Sequence, residues 1–314
     1  MKTYTQYEST TSQLLCKDML RFYILFNKKS TLLLNSNQEI SLGEYLDQEA
    51  YSDFFKKYYI LPMGSAIWSS NYKTMMEFPA KFFIRFFDNH GMLNVNDRPQ
   101  WLTITGGSVN YVKKLTASFA SKIKLNEKIQ SIDRKSDHVI IQFRDRTEKF
   151  DWVFFACHSD EALKLIKNPT QDEKSILKAI PYTDNEVILH YDENFMPKRK
   201  LAWAAWNYHI NQNIHSPVSL TYNMNILQNL ITNVPILVTL NPQEKINKKK
   251  IIKKLSYAHP QYSLQSIVAQ SNYHLISGVN RTSFAGAYWG NGFHEDGVKS
   301  ALVAIKQFNE IHGF

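Results

Sequence analysis

The sequence predicts a mixed α/β (α+β) protein, with a second, mixed or antiparallel sheet and its helices later in the chain. Three observations carry this prediction: apolar residues at helical spacing near the start, a helix followed by three strand candidates from residue 105 onward, and four further strand candidates between residues 186 and 240. The apolar share of 44% and the aromatic share of 13% are typical of a folded globular chain.

Residues 1–104 are predicted to form a helical region. Ser41 and Glu44 have the spacing of a capping box, and an apolar helix is predicted around Phe82 to Phe87. Large apolar residues at helical spacing predict one helix over 11–28 and another after the capping box. These residues are Leu15, Met19, Phe22 and Phe26 in the first helix, and Tyr51, Phe54, Phe55, Tyr58 and Tyr59 in the second.

A helix followed by three strands is predicted after the turn Thr105–Gly107. The helix carries Tyr111, Leu115 and Phe119 on one face. The strand candidates are Ile123–Ile132, His138–Phe143 and Phe150–Cys157.

The remaining chain is predicted to form the second sheet and two helices. Asn241 as N-cap with Pro242 at the first helical position predicts a helix from Asn241 to His259. A short strand into Phe284, a glycine-rich turn and a final helix from about Asp296 to His312 close the chain. The strand candidates of the second sheet are Glu186–Tyr191, Ala202–Tyr208, Val218–Met224 and Ile236–Leu240.

Neither a membrane-spanning segment nor an export signal is predicted. Apolar runs such as Pro235–Leu240 fall well short of the roughly 18 residues that a spanning helix needs, and the N-terminus is polar. We therefore expect a cytoplasmic protein in which Cys16 and Cys157 are reduced and belong to no metal site.

The chain carries 37 Lys+Arg against 28 Asp+Glu, a net charge of +9 that favours anionic partners. The predicted helix around Lys245–Lys254 has lysines on one side and Ile251, Ile252 and Leu255 on the other. It could lie on an anionic membrane surface, which would make the protein membrane-peripheral, or present a solvated face, which is the commoner case. Nucleic acid is not an expected partner, because the aromatic residues are not interleaved with Lys and Arg on one strand.

The segment Gly286–Gly297 carries four of the eleven glycines, between a predicted strand and a predicted helix. Glycine lets a backbone approach a ligand closely, and the start of a helix offers free N–H groups and a partial positive charge. This pattern favours ligand binding over a plain turn. The acceptor would be a phosphate or the O2 edge of a flavin, and the spacing is not that of a G-x-G-x-x-G fingerprint.

Phe284–Gly286 followed by Gly292–Ala301 resembles the closing motif of flavin-containing amine oxidases and related FAD oxidoreductases. The turn Thr105–Gly107 with its helix, then Lys124–Asp133 and Asp151–Cys157, resemble in order the turn, helix and second FAD-contacting segment of that family. The resemblance runs from about Leu14 to the end and implies an FAD/NAD(P)-binding, amine-oxidase-like fold. Similarity to a bacterial subgroup of predicted NAD/FAD-binding proteins is carried by Leu61–Met63, Ala66–Trp68, Arg85–His90 and Arg98–Trp101.

Two features depart from the family pattern. Members open with a strand, a G-x-G-x-x-G turn and a helix that hold the ADP part of FAD, whereas none of the glycines before Gly106 opens such a unit. The sequence therefore resembles an N-terminally truncated member, which implies a separately encoded N-terminal FAD-binding unit or a remnant of a split gene, and predicts an exposed sheet edge and apolar face. In addition, Ala287 is followed by Tyr288, where amine oxidases carry an acidic residue, so an apolar, lipid-like substrate is an alternative to an amine.

The resemblance implies backbone roles at the cofactor. Ile129 would meet the adenine, Phe293 would lie beside the flavin face, and Gly286 and Gly292 would be points of close approach. The cofactor-binding candidates are Ile129, Gly286, Ala287, Gly292, Phe293, His294, Glu295, Asp296 and Gly297, and the substrate-lining candidates, on a predicted strand, are Trp203, Trp206 and Tyr208. No catalytic side chain is assigned.

The resemblance also implies a division of the chain and a function. We expect residues 1–104 to be a helical, substrate-side region, 105–165 part of the FAD-binding domain, 166–272 the substrate-binding domain, and 273–314 the C-terminal FAD-contacting strand, turn and helix. The implied function is that of an FAD-dependent oxidoreductase, whose flavin accepts a hydride equivalent from an apolar, lipid-like or amine substrate. The alternative is a non-catalytic remnant or subunit that acts as a binding protein.

Overall fold

The computed structural model describes residues 17–21, 32–36, 38–93, 100, 102–210 and 216–313. The chain divides into two compact units, the first formed by residues up to 117 with 184–259, and the second by 118–183 with 260–314. The helices are α1 Leu42–Gln48, α2 Asp53–Phe55, α3 Leu61–Trp68, α4 Tyr72–Met76, α5 Ala80–Asn89, α6 Val109–Thr116, α7 Ser159–Leu165, α8 Gln171–Lys178, α9 Met224–Gln228, α10 Leu264–Ser271 and α11 His294–His312. The strands are β1 Ile129–Arg134, β2 Val139–Phe143, β3 Thr147–Phe150, β4 Val153–Phe155, β5 Tyr182–His190, β6 Trp206–His209, β7 Ser219–Asn223, β8 Leu237–Leu240, β9 Ile251–Pro260 and β10 Thr282–Phe284.

Local sequence signals determine the helices of the first unit. The Ser41 hydroxyl accepts a hydrogen bond from the Glu44 amide at 3.2 Å, and the Glu44 carboxylate accepts one from the Ser41 amide at 2.8 Å, which confirms the capping box. The π-helical turn Lys56–Ile60 joins α2 to α3, and α5 confirms the helix predicted around Phe82. Most of the helix predicted over 11–28 lies outside the described residues, apart from the helical residues 17–21.

The helix predicted after Gly107 is present, but its apolar face is not buried. No residue of α6 or of the following 3-10 turn, Ala117–Lys122, is buried. Leu115 is 67% exposed and Phe119 is 44% exposed. Helical spacing therefore predicted the conformation correctly, whereas this apolar face is exposed in the part of the chain that the structure describes.

The sheet of the first unit has the strand order β6-β7-β8-β5-β9. The pairs β6 with β7, β7 with β8 and β8 with β5 are antiparallel. All four predicted strands are present in this sheet, although the one predicted from Ala202 begins only at Trp206, after a 3-10 turn over Lys200–Ala202.

The helix predicted from Asn241 to His259 was wrong. The segment contains the 3-10 turn Lys248–Lys250 and then the strand β9. Asn241 has a left-handed φ of 44° rather than the extended backbone of an N-cap, and its amide side chain accepts from the Glu186 amide and donates to the Val218 carbonyl. The β-branched Ile251 and Ile252 and the repulsion among neighbouring lysines also favour an extended chain over a helix. The amphipathic helix that a membrane surface would have contacted is therefore absent.

A buried hydrogen-bonded row of side chains crosses this sheet. The Asp192 amide donates to Nδ1 of His190 at 3.0 Å, so the proton of the neutral imidazole is on Nε2, which lies 2.7 Å from the Thr239 hydroxyl. Thr239 and Thr221 are 2.8 Å apart, and Thr221 lies 3.0 Å from Nε2 of His209. His190 is fully buried, and burial lowers its pKa from 6.5 to about 4.

Replacing His190 by glutamine should reduce the pH dependence of stability. In the unfolded chain His190 takes up a proton below about pH 6.5, whereas in the folded chain it does so only near pH 4, so stability falls as the pH falls between these values. Protonation of His190 in the unfolded chain should lower the free energy of unfolding by about 2 kcal/mol between pH 7 and pH 5. Urea unfolding of the wild type and of His190→Gln at both pH values measures this change in stability. Equal pH dependence in the two proteins would show that His190 does not have a lowered pKa in the folded chain.

The second unit contains two small sheets. β1, β2 and β3 form an antiparallel sheet in that order, while β4 pairs in parallel with β10. The single strand predicted over Phe150–Cys157 was therefore wrong: it is broken at Asp151 and Trp152, and its two halves belong to different sheets. The strand predicted from Ile123 begins only at Ile129, and residues 123–128 form a loop after the helical segment that ends at Lys122.

The parallel pair β4–β10 lies between two layers of apolar side chains. Val153 and Phe155 of β4 and Phe284 of β10 belong to one buried cluster, whose remaining members are Ile132, Val139, Ala162, Ile166, Ile176, Leu177, Ala269 and Ile276. Phe154 points the other way, with its ring centroid 5.5 Å from that of Phe308 on α11. The sheet thereby fixes the start of the glycine-rich turn that leads into α11. No helix in the described part of the chain is long and apolar enough to cross a membrane.

Candidate functional site

The segment between β10 and α11 is a tight, internally bonded turn. The Gly286 amide donates to the Ser300 hydroxyl at 2.9 Å, which ties the turn to α11. The amides of Gly290 and Gly292 both donate to the Ala287 carbonyl, at 3.0 and 3.1 Å. Gly292 has a φ of +94°, a conformation that favours glycine. The hydrogen bonds within this segment therefore determine the path of its backbone, and no ligand is required to hold it.

Side chains of the protein fill the space beside three of the four glycines. A Cβ atom on Gly286 would lie 2.3 Å from the Tyr288 ring, and one on Gly290 would lie 2.4 Å from the Asp296 carboxylate. A Cβ atom on Gly292 would lie 2.9 Å from the Tyr262 hydroxyl. The glycines thus make room for these side chains, and a ligand contact at Gly286 or Gly292 stays a prediction.

The first turn of α11 is open. The first hydrogen bond of the helix runs from the Gly297 amide to the Phe293 carbonyl at 3.1 Å, so the amides that precede Gly297 have no carbonyl acceptor within the helix. His294 and Glu295 are exposed. A Cβ atom on Gly297 would meet only the Ala287 amide nitrogen, at 3.9 Å. The mouth of the helix is therefore accessible from outside the turn.

Two carboxylates limit the kind of acceptor that this mouth can bind. Asp296 accepts a hydrogen bond from the Phe293 amide at 3.0 Å, and Glu295 lies in the same first turn. Their negative charges offset the positive end of the helix dipole. A polarised carbonyl oxygen suits this position better than a phosphate, which would carry further negative charge to it.

Residues distant in sequence hold the turn in place, and sequence reasoning missed them. The Gln270 side-chain amide donates to the carbonyls of Tyr288 and Gly290, both at 2.8 Å. The Tyr288 ring lies 4.9 Å from that of Trp289, and burial raises the pKa of the Tyr288 hydroxyl well above its usual value. Tyr288 is thus a neutral packing residue rather than a base. No local pattern in the sequence connects Gln270 with a turn that begins sixteen residues later.

Ile129 lies at an irregular strand end. It is 37% exposed at the start of β1. The register shifts between Ile129 and Ser131, which pair with Phe143 and Gln142. A bulge of this kind frees backbone groups from the ladder, which is compatible with a backbone contact to a ligand. Among the described residues, no hydrogen bond joins Ile129 to the turn.

The three aromatic candidates for the substrate side belong to the first unit but do not form one row. Trp206 and Tyr208 lie on the same face of β6, since they are two residues apart. Trp206 is 37% exposed and packs edge-to-face on Tyr222, with ring centroids 5.2 Å apart. Trp203 precedes the strand, and its indole N–H donates to the Pro197 carbonyl at 2.8 Å. Trp206 is therefore the accessible member of the three.

Cys157 and His158 do not form a nucleophilic pair. Burial raises the pKa of the half-buried Cys157 thiol to about 11, so it is protonated at neutral pH. The His158 ring stacks on Tyr182 at 4.3 Å. Cys16 lies outside the described residues. Within the described ranges, no group of His, Cys, Asp or Glu side chains could hold a metal ion.

Comparison with known proteins assigns the fold. The family model "Flavin containing amine oxidoreductase" matches residues 15–225. The structure is similar to a wild-type putrescine oxidase bound to putrescine (10% identity, TM-score 0.64, 99% of this chain and 78% of that chain). It is also similar to cyclohexylamine oxidase from Brevibacterium oxydans (10%, 0.61, 99% and 77%) and to a CLA-producing fatty acid isomerase from P. acnes (14%, 0.63, 96% and 77%). No match to a curated protein sequence is found.

Proposed function

Because the chain belongs to the flavin-containing amine oxidoreductase family, we propose that it is the substrate-side and C-terminal flavin-contacting part of an FAD-dependent oxidoreductase. The observation that carries the proposal is the open first turn of α11. The first hydrogen bond of the helix starts at the Gly297 amide, so the amides of Glu295 and Asp296 have no carbonyl acceptor within the helix, and Gly297 beside them has no side chain. In this proposal the amides hold the pyrimidine edge of a flavin.

The described residues fit one end of the cofactor. The amides at the start of α11, weakened as an anion site by Glu295 and Asp296, suit the neutral O2 carbonyl of an oxidised flavin. The sequence has no G-x-G-x-x-G turn to cradle a pyrophosphate. We therefore propose that stable binding of FAD needs such a unit in addition to these 314 residues.

Bound flavin would supply the electron-accepting ring, and the residues of the chain would position it and exclude water. Gln270 and Ser300 fix the turn, so the α11 amides are already oriented when the ring arrives. The buried Tyr288 and the half-buried Trp289 pack against each other in the turn, with ring centroids 4.9 Å apart. The dipole of α11 favours negative charge on the ring edge, and the two acidic side chains moderate that effect.

For the substrate we propose an apolar or anionic, lipid-like molecule rather than a polyamine. Relatives in structure act on putrescine and cyclohexylamine or are named for a fatty acid. The net charge of +9 disfavours the approach of a dicationic amine and favours a neutral or anionic one. The accessible aromatic surface at Trp206 and Tyr222 is suited to an apolar chain.

Replacing Gly297 by alanine should separate flavin binding from folding. Alanine in a helix is favoured over glycine by about 0.5–1 kcal/mol, and the added methyl has space in the fold, so the variant should be slightly more stable. The methyl group would lie at the start of α11 and prevent one or two hydrogen bonds from its amides to the flavin ring. The affinity for the flavin should therefore fall roughly tenfold.

Quenching of lumiflavin fluorescence measures this affinity without the ADP moiety, and thermal unfolding measures stability. Lys306→Ala, an exposed change near the other end of the same helix, is the control and should leave lumiflavin binding unchanged. If the wild type fails to quench lumiflavin, or if Gly297→Ala binds it as well as the wild type does, the α11 mouth is not a flavin site.

The alternative function is that of a non-catalytic binding subunit. The side chains that fill the spaces beside Gly286, Gly290 and Gly292 favour it, because a turn that packs on itself needs no cofactor. A chain that stays colourless when FAD and a G-x-G-x-x-G partner polypeptide are added would establish this alternative. The appearance of flavin absorbance bands would exclude it.

A further inference from the structure

A short loop of the first unit has a completely exposed leucine at its tip. The Trp203 indole N–H donates to the Pro197 carbonyl at 2.8 Å, which holds the two ends of residues 197–203 together. A 3-10 turn over Lys200–Ala202 forms the tip, and Leu201, in the middle of this turn, is completely exposed. The loop, which we call the basic loop, therefore presents an apolar side chain to solvent on a closed frame.

Three cations precede Leu201 directly. Lys198, Arg199 and Lys200 are all exposed. The Lys200 ammonium lies 5.6 Å from the centroid of the Trp203 ring, a cation–π contact that leaves its charge in place. Among the residues that the structure describes, no carboxylate forms an ion pair with any of the three. The positive charge of the basic loop is therefore available to a partner.

A lysine-rich turn packs on the segment that leads into the basic loop. The Tyr191 hydroxyl donates to the Lys249 carbonyl at 2.8 Å, and the Asn247 amide donates to the Asp192 carboxylate at 3.1 Å. These bonds attach the 3-10 turn Lys248–Lys250 to the end of β5. The turn and the basic loop thus flank the same short stretch of chain.

Positive charge dominates this part of the surface. Residues 192–203 and 244–250 together carry seven Lys and Arg against three Asp and Glu. Lys248 and Lys249 are exposed, like the cations of the basic loop. An anionic partner is therefore favoured here.

The exposed leucine distinguishes among anionic partners. A nucleic acid or an acidic protein would use the cations and gain little from Leu201, whereas the headgroup boundary of a bilayer accepts an apolar tip together with cations on long apolar stems. A second exposed apolar loop lacks this combination. Ile231 is also completely exposed, but residues 224–237 contain no charged side chain. The basic loop therefore fits a lipid surface that carries negative charge.

We propose that the basic loop and the Lys248–Lys250 turn form a contact surface for an anionic lipid bilayer. Leu201 enters the headgroup boundary, and the cations face the lipid phosphates. The contact is peripheral and reversible, because one leucine and a few cations give only moderate binding. It is a loop surface and not the amphipathic helix that the sequence predicted over Asn241–His259.

The first experiment is co-sedimentation of the full chain with lipid vesicles. The wild type should bind vesicles of equal parts phosphatidylcholine and phosphatidylglycerol and should not bind pure phosphatidylcholine. Lys198→Gln combined with Lys200→Gln should weaken binding roughly 20-fold, since each cation near an anionic surface contributes about fivefold. Lys113→Gln combined with Lys114→Gln, two exposed lysines on α6, is the control and should leave binding unchanged. Equal losses in the two double variants, or no binding by the wild type, would overturn the proposal.

The second comparison in this assay tests the apolar tip. Leu201→Ser should weaken vesicle binding roughly tenfold, because part of the leucine leaves water in the bound state. Ile231→Ser is the matched control and should bind as the wild type does. Both side chains are completely exposed, so both variants should keep the wild-type melting temperature. If Leu201→Ser binds vesicles as tightly as the wild type, the contact depends on charge alone and the lipid surface is refuted.

Photo-cross-linking in the native cells tests the partner directly. Benzoylphenylalanine replaces Leu201 or Ile231, and mass spectrometry identifies the attached molecule. We expect lipid adducts at position 201 and not at position 231. Adducts of protein or nucleic acid at position 201, or equal yields of lipid at both positions, would overturn the proposal. The inference goes beyond the proposed function, and none of these measurements needs a flavin, so the two can fail separately.

Discussion

Replacing Phe284 by alanine is expected to lower the free energy of unfolding of the second unit by about 3–5 kcal/mol. Phe284 is fully buried on β10, and its ring stacks on Phe155 of β4 with centroids 5.3 Å apart. The truncation leaves a cavity between the parallel strands and the buried cluster. Because Phe284 is followed directly by the turn that leads into α11, lumiflavin binding should be lost together with stability.

Urea unfolding followed by the fluorescence of the tryptophans of the second unit, Trp152 and Trp289, measures the change. Phe150→Ala is the matched control, since Phe150 lies on β3 of the same unit and is 38% exposed. We expect the control to lose less than about 1 kcal/mol. Equal losses in the two variants would show that Phe284 is not a core residue of the unit.

Replacing Arg134 by alanine should also cost about 3–5 kcal/mol, for an electrostatic reason. The Arg134 guanidinium bonds both carboxylate oxygens of Glu173, one at 2.9 Å, and donates to the Asn168 carbonyl at 3.1 Å. Both side chains are almost completely buried, 6% and 1% exposed. Without Arg134 the carboxylate of Glu173 stays buried with no cation beside it, although the Thr170 amide still donates to it at 2.8 Å.

Two comparisons test this explanation in the same urea assay. Lys164→Ala removes an exposed pair with Asp160 on α7 and should cost no more than about 0.5 kcal/mol. The double variant Arg134→Ala with Glu173→Leu should recover much of the loss, because it removes the unpaired buried charge. A double variant as unstable as Arg134→Ala would mean that lost packing, and not the buried, unpaired carboxylate of Glu173, causes the loss of stability.

What the sequence predicts well is what neighbouring residues determine. The capping box at Ser41, the final helix and the short strand into Phe284 depend on patterns a few residues long, and all three are confirmed. The helix predicted from Asn241 is wrong, because pairing with β5 outweighs the local cap pattern and draws the β-branched segment into the sheet.

In the candidate site, too, local features could be predicted from the sequence and long-range contacts could not. The glycine-rich turn and the open helix start could be inferred from the run Gly286–Gly297 alone. The positions of Tyr262 and Gln270 could not, because they come from an earlier segment of the chain and reach the turn only through the fold. For the same reason the sequence did not show that side chains would fill the spaces beside the glycines.

The pairing of β4 with β10 has a consequence for biosynthesis. β4 ends at Phe155, whereas β10 begins only at Thr282, and the intervening chain includes residues 184–259, which belong to the first unit. At ordinary translation speeds, ribosomes need on the order of 10 s to make that stretch. During this interval the nascent β4 lacks both β10 and α11. Chaperones that shield apolar strands should therefore associate with ribosomes at this stage of translation and leave once α11 has emerged.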